Sequence, residues 1–153
     1  MKPQIWIYYD FASGDANPGS GGTFGTFNQL FPFGRYYLGY LDLTARQNIQ
    51  DFNIQLVLFP TKWITMAVQH HKFNLAQARS PLFGPLGVPV RVDPTGAAGT
   101  HVGNEIDVWV NFHLTAHQDI LIGYSKLFPG RFIRETGPDT SPELLYVQHQ
   151  IQW

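Results

Sequence analysis

The sequence predicts an all-β chain, an antiparallel up-and-down transmembrane β-barrel segment of about six strands with long outer loops and short periplasmic turns. Three observations carry this reading. Stretches of about ten residues alternate apolar and polar, the period of a strand with one greasy and one wet side. The links between them run long, short, long, short, medium, the asymmetry of a bacterial barrel. The last stretch, Leu144–Trp153, sets Leu145, Val147, His149, Ile151 and Trp153 against Tyr146, Gln148, Gln150 and Gln152. A wet face of uncharged amides and a terminal aromatic suit a closing barrel strand better than a soluble sandwich, whose outer positions favour Lys, Glu or Thr.

Composition agrees. The chain has 153 residues, the length of one domain or a piece of one, and a formal net charge of −1. Nothing in that balance recommends nucleic acid as a partner. Charged residues are 14%, below the usual quarter, while aromatics reach 15%. Gly 15 and Pro 11 imply many turns and little helix, and cysteine is absent. No apolar run approaches the roughly 20 residues of a transmembrane helix.

Strand one is expected at 4–12, β-branched and aromatic. Residues 13–47 open as a turn-rich loop, and Tyr36 to Gln47 is expected to hold a short helix or an extra strand. Strand two is Ile49–Phe59, with Phe52, Ile54, Leu56 and Leu58 against Asp51, Asn53 and Gln55. Pro60-Thr61-Lys62 reads as a tight turn. Strand three is Trp63–Phe73, with Ile64, Met66 and Val68 against Thr65, Gln69 and His71. Residues 74–103 form a second long loop. Strand four, Asn104–Leu114, sets Ile106, Val108, Val110, Phe112 and Leu114 against Glu105, Asp107, Trp109, Asn111 and His113. Strand five is Gln118–Phe128, with Ile120, Ile122 and Tyr124 opposite Gly123 and Ser125; a loop at 129–142 precedes the last strand.

Aromatics give a second test, because membrane interfaces favour two girdles. Phe59, Trp63, Phe112 and Trp153 are expected at the short-turn rim, and Phe11, Phe73 and Phe128 at the long-loop rim. Parity turns Phe11, Phe112, Phe128 and Trp153 to lipid. Phe59, Trp63 and Phe73 need a bulge or turn that resets the alternation, and Lys126 must snorkel outward. About six strands do not close a membrane barrel, which starts at about eight. With no export signal after Met1-Lys-Pro, the expectation is the C-terminal part of a longer barrel, partnered by its remaining strands and by outer-membrane lipid.

A family resemblance rests on several ordered motifs. Tyr9-Asp-Phe-Ala-Ser-Gly-Asp15, Gly25-Thr-Phe-Asn-Gln-Leu-Phe-Pro32, Tyr37-Leu-Gly-Tyr-Leu-Asp42, Arg46-Gln-Asn-Ile49 and Asp93-Pro-Thr-Gly-Ala-Ala-Gly-Thr-His-Val-Gly103 together resemble the alginate export family, as does Gly123-Tyr-Ser with Phe128-Pro-Gly130. The resemblance covers essentially the whole chain and implies a bacterial outer-membrane porin. It implies passive passage of a hydrated anionic solute such as an alginate-like polysaccharide, with loops or charged constrictions selecting it.

A polyuronate carries one carboxylate per sugar and so calls for Arg and Lys in the channel, Arg being able to grip a carboxylate bidentately. Arg35, Arg46, Lys72, Arg79, Arg91, Arg131 and Arg134 lie in or beside the long loops. Arg46 and Arg79 are the preferred pore-lining residues, with Arg35, Arg91 and Asp10. Glu105 and Asp107 face the lumen by parity, and two readings stand for them: pairing with those arginines to shape a constriction, or solvated wall. Acidic residues crowd the same half, so ordinary ion pairs that fold the loops are the bland alternative.

Other constellations are weak. His70-His71 points its rings to opposite faces, and His101 and His113 lack partners at ligand spacing. Asp15-Ala-Asn17-Pro-Gly19 lacks the downstream Glu of a calcium loop and reads as an Asx turn. Gly96-Ala-Ala-Gly99 does not sit between strand and helix, so it is no phosphate cradle. No cofactor, metal or catalytic constellation is expected, so no enzyme. The competing reading is a soluble carbohydrate-binding β-sandwich with Trp6, Trp63 or Trp109 as stacking platforms; a barrel with a plugged lumen is a third.

Overall fold

A computed structural model describes residues 2–19, 21–32 and 37–153. In chain order the elements are β1 (Gln4–Ala12), β2 (Ile49–Thr61), β3 (Ile64–Leu75), β4 (Leu82–Phe83), β5 (Pro89–Arg91), β6 (His101–Thr115), β7 (Gln118–Pro129), a one-turn helix α1 (Arg131–Glu135) and β8 (Glu143–Ile151). Six of the strands form one antiparallel sheet in the order β1-β2-β3-β6-β7-β8. Every neighbour is thus the next long strand in sequence, an up-and-down meander. The sheet is open, with β1 and β8 at its two edges.

Each expected strand overlaps an observed one, and the differences have local causes. β2 runs on through Pro60 to Thr61 because a register shift between Leu58 and Thr61 accommodates the proline. The same shift resets the alternation, and Trp63 emerges exposed and stacked on Phe112, with centroids 6.3 Å apart. Phe11 and Phe128 are exposed as expected, but Phe73 is buried and belongs to the core rather than to a girdle. Lys126 does face outward, where it pairs with Glu143 at 3.2 Å. The segment 37–47 holds neither helix nor strand; Gly39 and Asp42 take positive φ, 84° and 54°, which interrupts any regular element. The hairpin β4–β5 and α1 were not foreseen, being too short to show a period.

The sheet is inverted relative to a soluble protein. Residues opposite one another in an antiparallel ladder share a face, and Asp51, Asn53, Gln69, His71, Glu105, Asp107 and Ser125 on one face are all buried. On the other face Phe52, Ile54, Val68, Val108, Ile122, Tyr124 and Val147 are exposed. Among the described residues nothing packs over that apolar face, as a second sheet would in a sandwich. The apolar core instead lies at the long-loop end. Ile49, Phe73, Leu75, Val102 and Leu127 from the strand ends meet Leu82 from β4 and Phe132 and Ile133 from α1, with Leu38, Leu41 and Leu43 packed on.

Asn48 ties this end together. It is fully buried at φ 50°, and its amide nitrogen lies 3.1, 3.0 and 2.9 Å from the carbonyls of Gln77, Ser80 and Pro81. Its oxygen accepts the Gln77 N–H at 2.8 Å. A Cβ at Gly14 would overlap this side chain, so glycine there lets the first loop close over it.

Candidate solute-facing wall

The registers stack the polar face into rows. Trp6, Gln55, Gln69, Asp107, Ser125 and Leu144 form one row; Tyr8, Asn53, His71, Glu105 and Leu127 form the next. Nearer the short turns, Val57, Ala67, Trp109, Gly123 and Tyr146 align. Here a Cβ on Gly123 would overlap the Tyr146 ring, so the phenol leans across the glycine onto the wall.

His71 is the hub of the buried polar cluster. Its Nδ1 is 2.6 Å from Asp51 Oδ2, and its Nε2 is 3.5 Å from Asp107 Oδ2. The Asn53 amide nitrogen is 2.9 Å from the same ring. Lower on the wall His113 bridges Thr65 at 2.8 Å and Asp119 at 2.7 Å. Each imidazole thus sits between acidic or hydroxyl groups, which spares the wall unpaired ring nitrogens.

Part of the first loop folds onto this wall. Leu41 N–H donates to Glu105 Oε1 at 2.9 Å, and Gly39 lies so close over the Glu105 carboxylate that a side chain there would overlap it. Tyr40 stacks on Tyr146 at 5.4 Å. Arg46 pairs with Asp10 at 3.2 Å, its guanidinium 5.2 Å from the centre of the Tyr37 ring. The outer side of the segment is held by Ala45 N–H on Phe83 O at 2.9 Å and by Arg46 N–H on Gln29 Oε1 at 3.0 Å.

The expected site residues fall as follows. Asp10 and Arg46 come together at the wall. Glu105 and Asp107 are buried in it, and their partners among the described residues are not arginines; Glu105 takes a backbone N–H of the loop, and Asp107 faces His71. Among the described residues Arg46 and Arg91 direct their guanidinium groups elsewhere, to Asp10 and to backbone carbonyls. Arg91 donates to the carbonyls of Ile133 at 2.9 Å and Pro138 at 2.5 Å, and so fastens the hairpin to α1 and its following loop. Arg79 is exposed on the second long loop, beside Gly96. Arg35 lies outside the described residues. Lys72 is exposed on the apolar face, while Arg131 pairs with Glu135 at 2.7 Å and Arg134 caps Pro129 O.

The charge pattern of the wall follows. Asp10, Asp51, Glu105, Asp107 and Asp119 face it from the strands, and among the described residues the strands send no Lys or Arg to that side. Between β1, β2, β3 and β6 the wall opens into a cleft of about 380 Å³ lined by Trp6, Tyr8, Asn53, Gln55, Gln69 and Trp109, with Tyr37 and Tyr40 above it. Residue-by-residue reading named Trp6 and Trp109 only for the sandwich alternative and missed Tyr37 and Tyr40. Parity did put Asn53, Gln55, Gln69 and Trp109 on the wet side, and that was the signal available.

A family model described as alginate export matches residues 1–147. Comparison with curated proteins and with solved structures gives no match.

Proposed function

We propose, from the premise that this chain belongs to the alginate export family, that its sheet is a sector of the wall of a bacterial outer-membrane export channel. The observation that carries the reading is the inverted sheet, with carboxylates and amides buried on one face and Val, Ile and aromatics exposed on the other. Hydrocarbon accepts the apolar face, and β2, β3, β6 and β7 each have a hydrogen-bonded neighbour on both sides, which is how a membrane-spanning sheet satisfies its backbone. The two edges, β1 and β8, are completed by the other strands of a closed barrel, since an open edge is not tolerated in lipid.

In this reading transport is passive. The polar face lines the lumen, a hydrated polysaccharide moves past it, and the segment 37–46 narrows the passage because it is fastened to the wall. An anionic chain would meet the arginines of the long loops, Arg79 and the expected Arg35 among them. Deeper in, Arg46 is already paired with Asp10 and the strands present carboxylates.

The test uses neighbours on one strand that face opposite ways. Val147→Arg puts a cation on the proposed lipid face, and Gln148→Arg puts one on the lumen face. In liposomes the full-length protein should lose about 2–4 kcal/mol of folding stability in the first variant if residue 147 lies near the midplane, and almost nothing in the second. Equal costs would remove the membrane reading, as would folding of the wild type in water without detergent or lipid.

A further inference from the structure

The apolar face of the sheet carries a polar island at its long-loop end. Register puts Phe52, Lys72, Asn104 and Phe128 in one row of that face, and His70, Ile106 and Lys126 in the next. A shift between Phe73 and Asn74 brings His101 opposite Asn74, one row nearer the loops. Side chains bridge the strands here: His70 Nε2 is 3.1 Å from Asn104 Oδ1, and Asn104 Nδ2 is 3.4 Å from His101 Nε2. Lys72 and Arg134 of α1 both lie within electrostatic reach of the His101 ring. The carboxylate on this face, Glu143, is already taken by Lys126 at 3.2 Å and by the Tyr124 hydroxyl at 2.7 Å. Arg134 donates to the Pro129 carbonyl, and among the described residues neither it nor Lys72 has an anionic partner. Cations gathered about one imidazole repel one another, the more so beside hydrocarbon where screening is weak, until an anion joins them.

Their height on the sheet says which anion is at hand. Ile64 pairs with Phe112 near the short turns, and Lys72 lies eight residues further along β3. At about 3.4 Å per residue this is roughly 27 Å of strand, and a tilt of about 40° leaves about 20 Å along the membrane normal, close to the height of an apolar band. With the Phe112 row at one interface, Lys72 stands at the other, level with lipid headgroups. Below it Val68, Val108 and Tyr124 form an exposed row on which acyl chains can lie. A single lysine at that level would only snorkel to water. Cations converging from β3 and α1, with amide and imidazole donors between them, make a seat for phosphate instead.

We propose that Lys72, Arg134, His101 and Asn104 form a binding site for the phosphate of a phosphorylated lipid in the outer leaflet, whose acyl chains lie over Phe128 and Val108. The site rests on the channel reading, because only a sheet set in a membrane meets such a lipid on this face.

The experiment is native mass spectrometry of the folded full-length protein, released from uncharged detergent micelles and titrated with diphosphoryl lipid A. The wild type should retain the lipid, and Lys72→Gln with Arg134→Gln should weaken retention about thirty-fold. Lys72→Arg, which keeps the charge, should bind like the wild type, as should Lys62→Gln at the opposite rim. Where the double variant does not fold, Lys72→Gln alone should weaken retention about five-fold. Excess inorganic phosphate should not displace the lipid, since the buried chains supply most of the affinity. Retention indifferent to these charge changes, in protein of unchanged folded gel mobility, overturns the proposal, and so does complete displacement by inorganic phosphate. Insertion into phosphatidylcholine liposomes is recorded on the same preparation. Insertion without charge-dependent retention sinks the lipid site alone; a wild type that does not insert sinks the channel reading and the site with it.

Discussion

Gly39 sits directly over the carboxylate of Glu105, with the following turn held by the Leu41 N–H on Glu105 Oε1 at 2.9 Å. Glycine is required twice over, for the φ of 84° and for the missing side chain. This contact joins residues 66 positions apart and fastens a loop to a wall, so its loss should free the loop. Gly39→Val should strain the backbone by about 1–3 kcal/mol and lift the segment 37–46. Glu105→Ala removes the acceptor, whereas Glu105→Gln keeps one. Single-channel conductance should rise in Gly39→Val and Glu105→Ala and stay near wild type in Glu105→Gln. Three identical conductances would show that the segment does not narrow the lumen.

Asn48 is the second point of attachment. Replacing it by Ala leaves the Gln77 N–H and the carbonyls of Gln77, Ser80 and Pro81 without their partner in a fully buried place. Each buried group left unpaired costs about 1–3 kcal/mol, so Asn48→Ala should destabilise the folded protein by roughly 3 kcal/mol or more. Urea unfolding in liposomes, followed by tryptophan fluorescence, measures it. Asn48→Asp keeps the acceptor for Gln77 N–H but turns the donor nitrogen into an oxygen facing carbonyls, and should do no better.

Gly123 gives a packing prediction. The Tyr146 ring occupies the space of the absent side chain and stacks on Tyr40. Gly123→Val should expel the ring at a cost of about 1–3 kcal/mol, typical of overpacking. The loop contact of Tyr40 would go with it. Protease cleavage within residues 37–47 should therefore speed up in Gly123→Val, and in Tyr146→Ala as well, while β2 and β3 stay protected.

The loop before β6 carries a pH prediction. Asp93 Oδ2 accepts the Ala98 N–H at 2.7 Å, and Oδ1 accepts the Thr95 hydroxyl at 2.6 Å and the Thr95 N–H at 2.9 Å. These bonds, that from Ala98 foremost, hold the carboxyl down at about 2, against an ordinary 3.8. A depressed acid stabilises the turn fully above the ordinary value and loses that contribution as pH falls from 3.8 through 2. Amide exchange at Ala98 should thus remain slow at pH 5 and lose its protection toward pH 2. Asp93→Asn, with one acceptor oxygen for two sites, should exchange fast at pH 5 already. A pH-independent Ala98 would contradict the assignment.

Much of this architecture was legible in the residue order, and for a definite reason. A strand's two faces alternate with period two. Ile106, Val108 and Val110 against Glu105, Asp107 and Trp109 therefore announced both the strand and which side was wet, and the structure keeps that division. Link lengths were read from the same spacing, which is why the order of the six long strands came out right. Phe73 shows the limit. Its position near a loop suggested an interface aromatic, but parity turned it onto the polar side, where α1 and the loop leucines bury it.

Loops lack such a period, and the candidate site is largely a matter of loops meeting walls. Arg46 and Asp10 are 36 residues apart, Gly39 and Glu105 66, and nothing local to any of them records the partner. The arginines looked alike in sequence, yet Arg46 reaches the wall, Arg91 ties carbonyls and Arg79 stays outside. Sequence by itself determined the strands, their order, and a polar face opposed to an apolar one, because alternation and link length are local properties of the chain. Only the tertiary structure decided which loop comes down, which of the described arginines reaches the wall, and that Trp6, Tyr8 and Trp109 share one cleft, because register brings residues from different strands side by side.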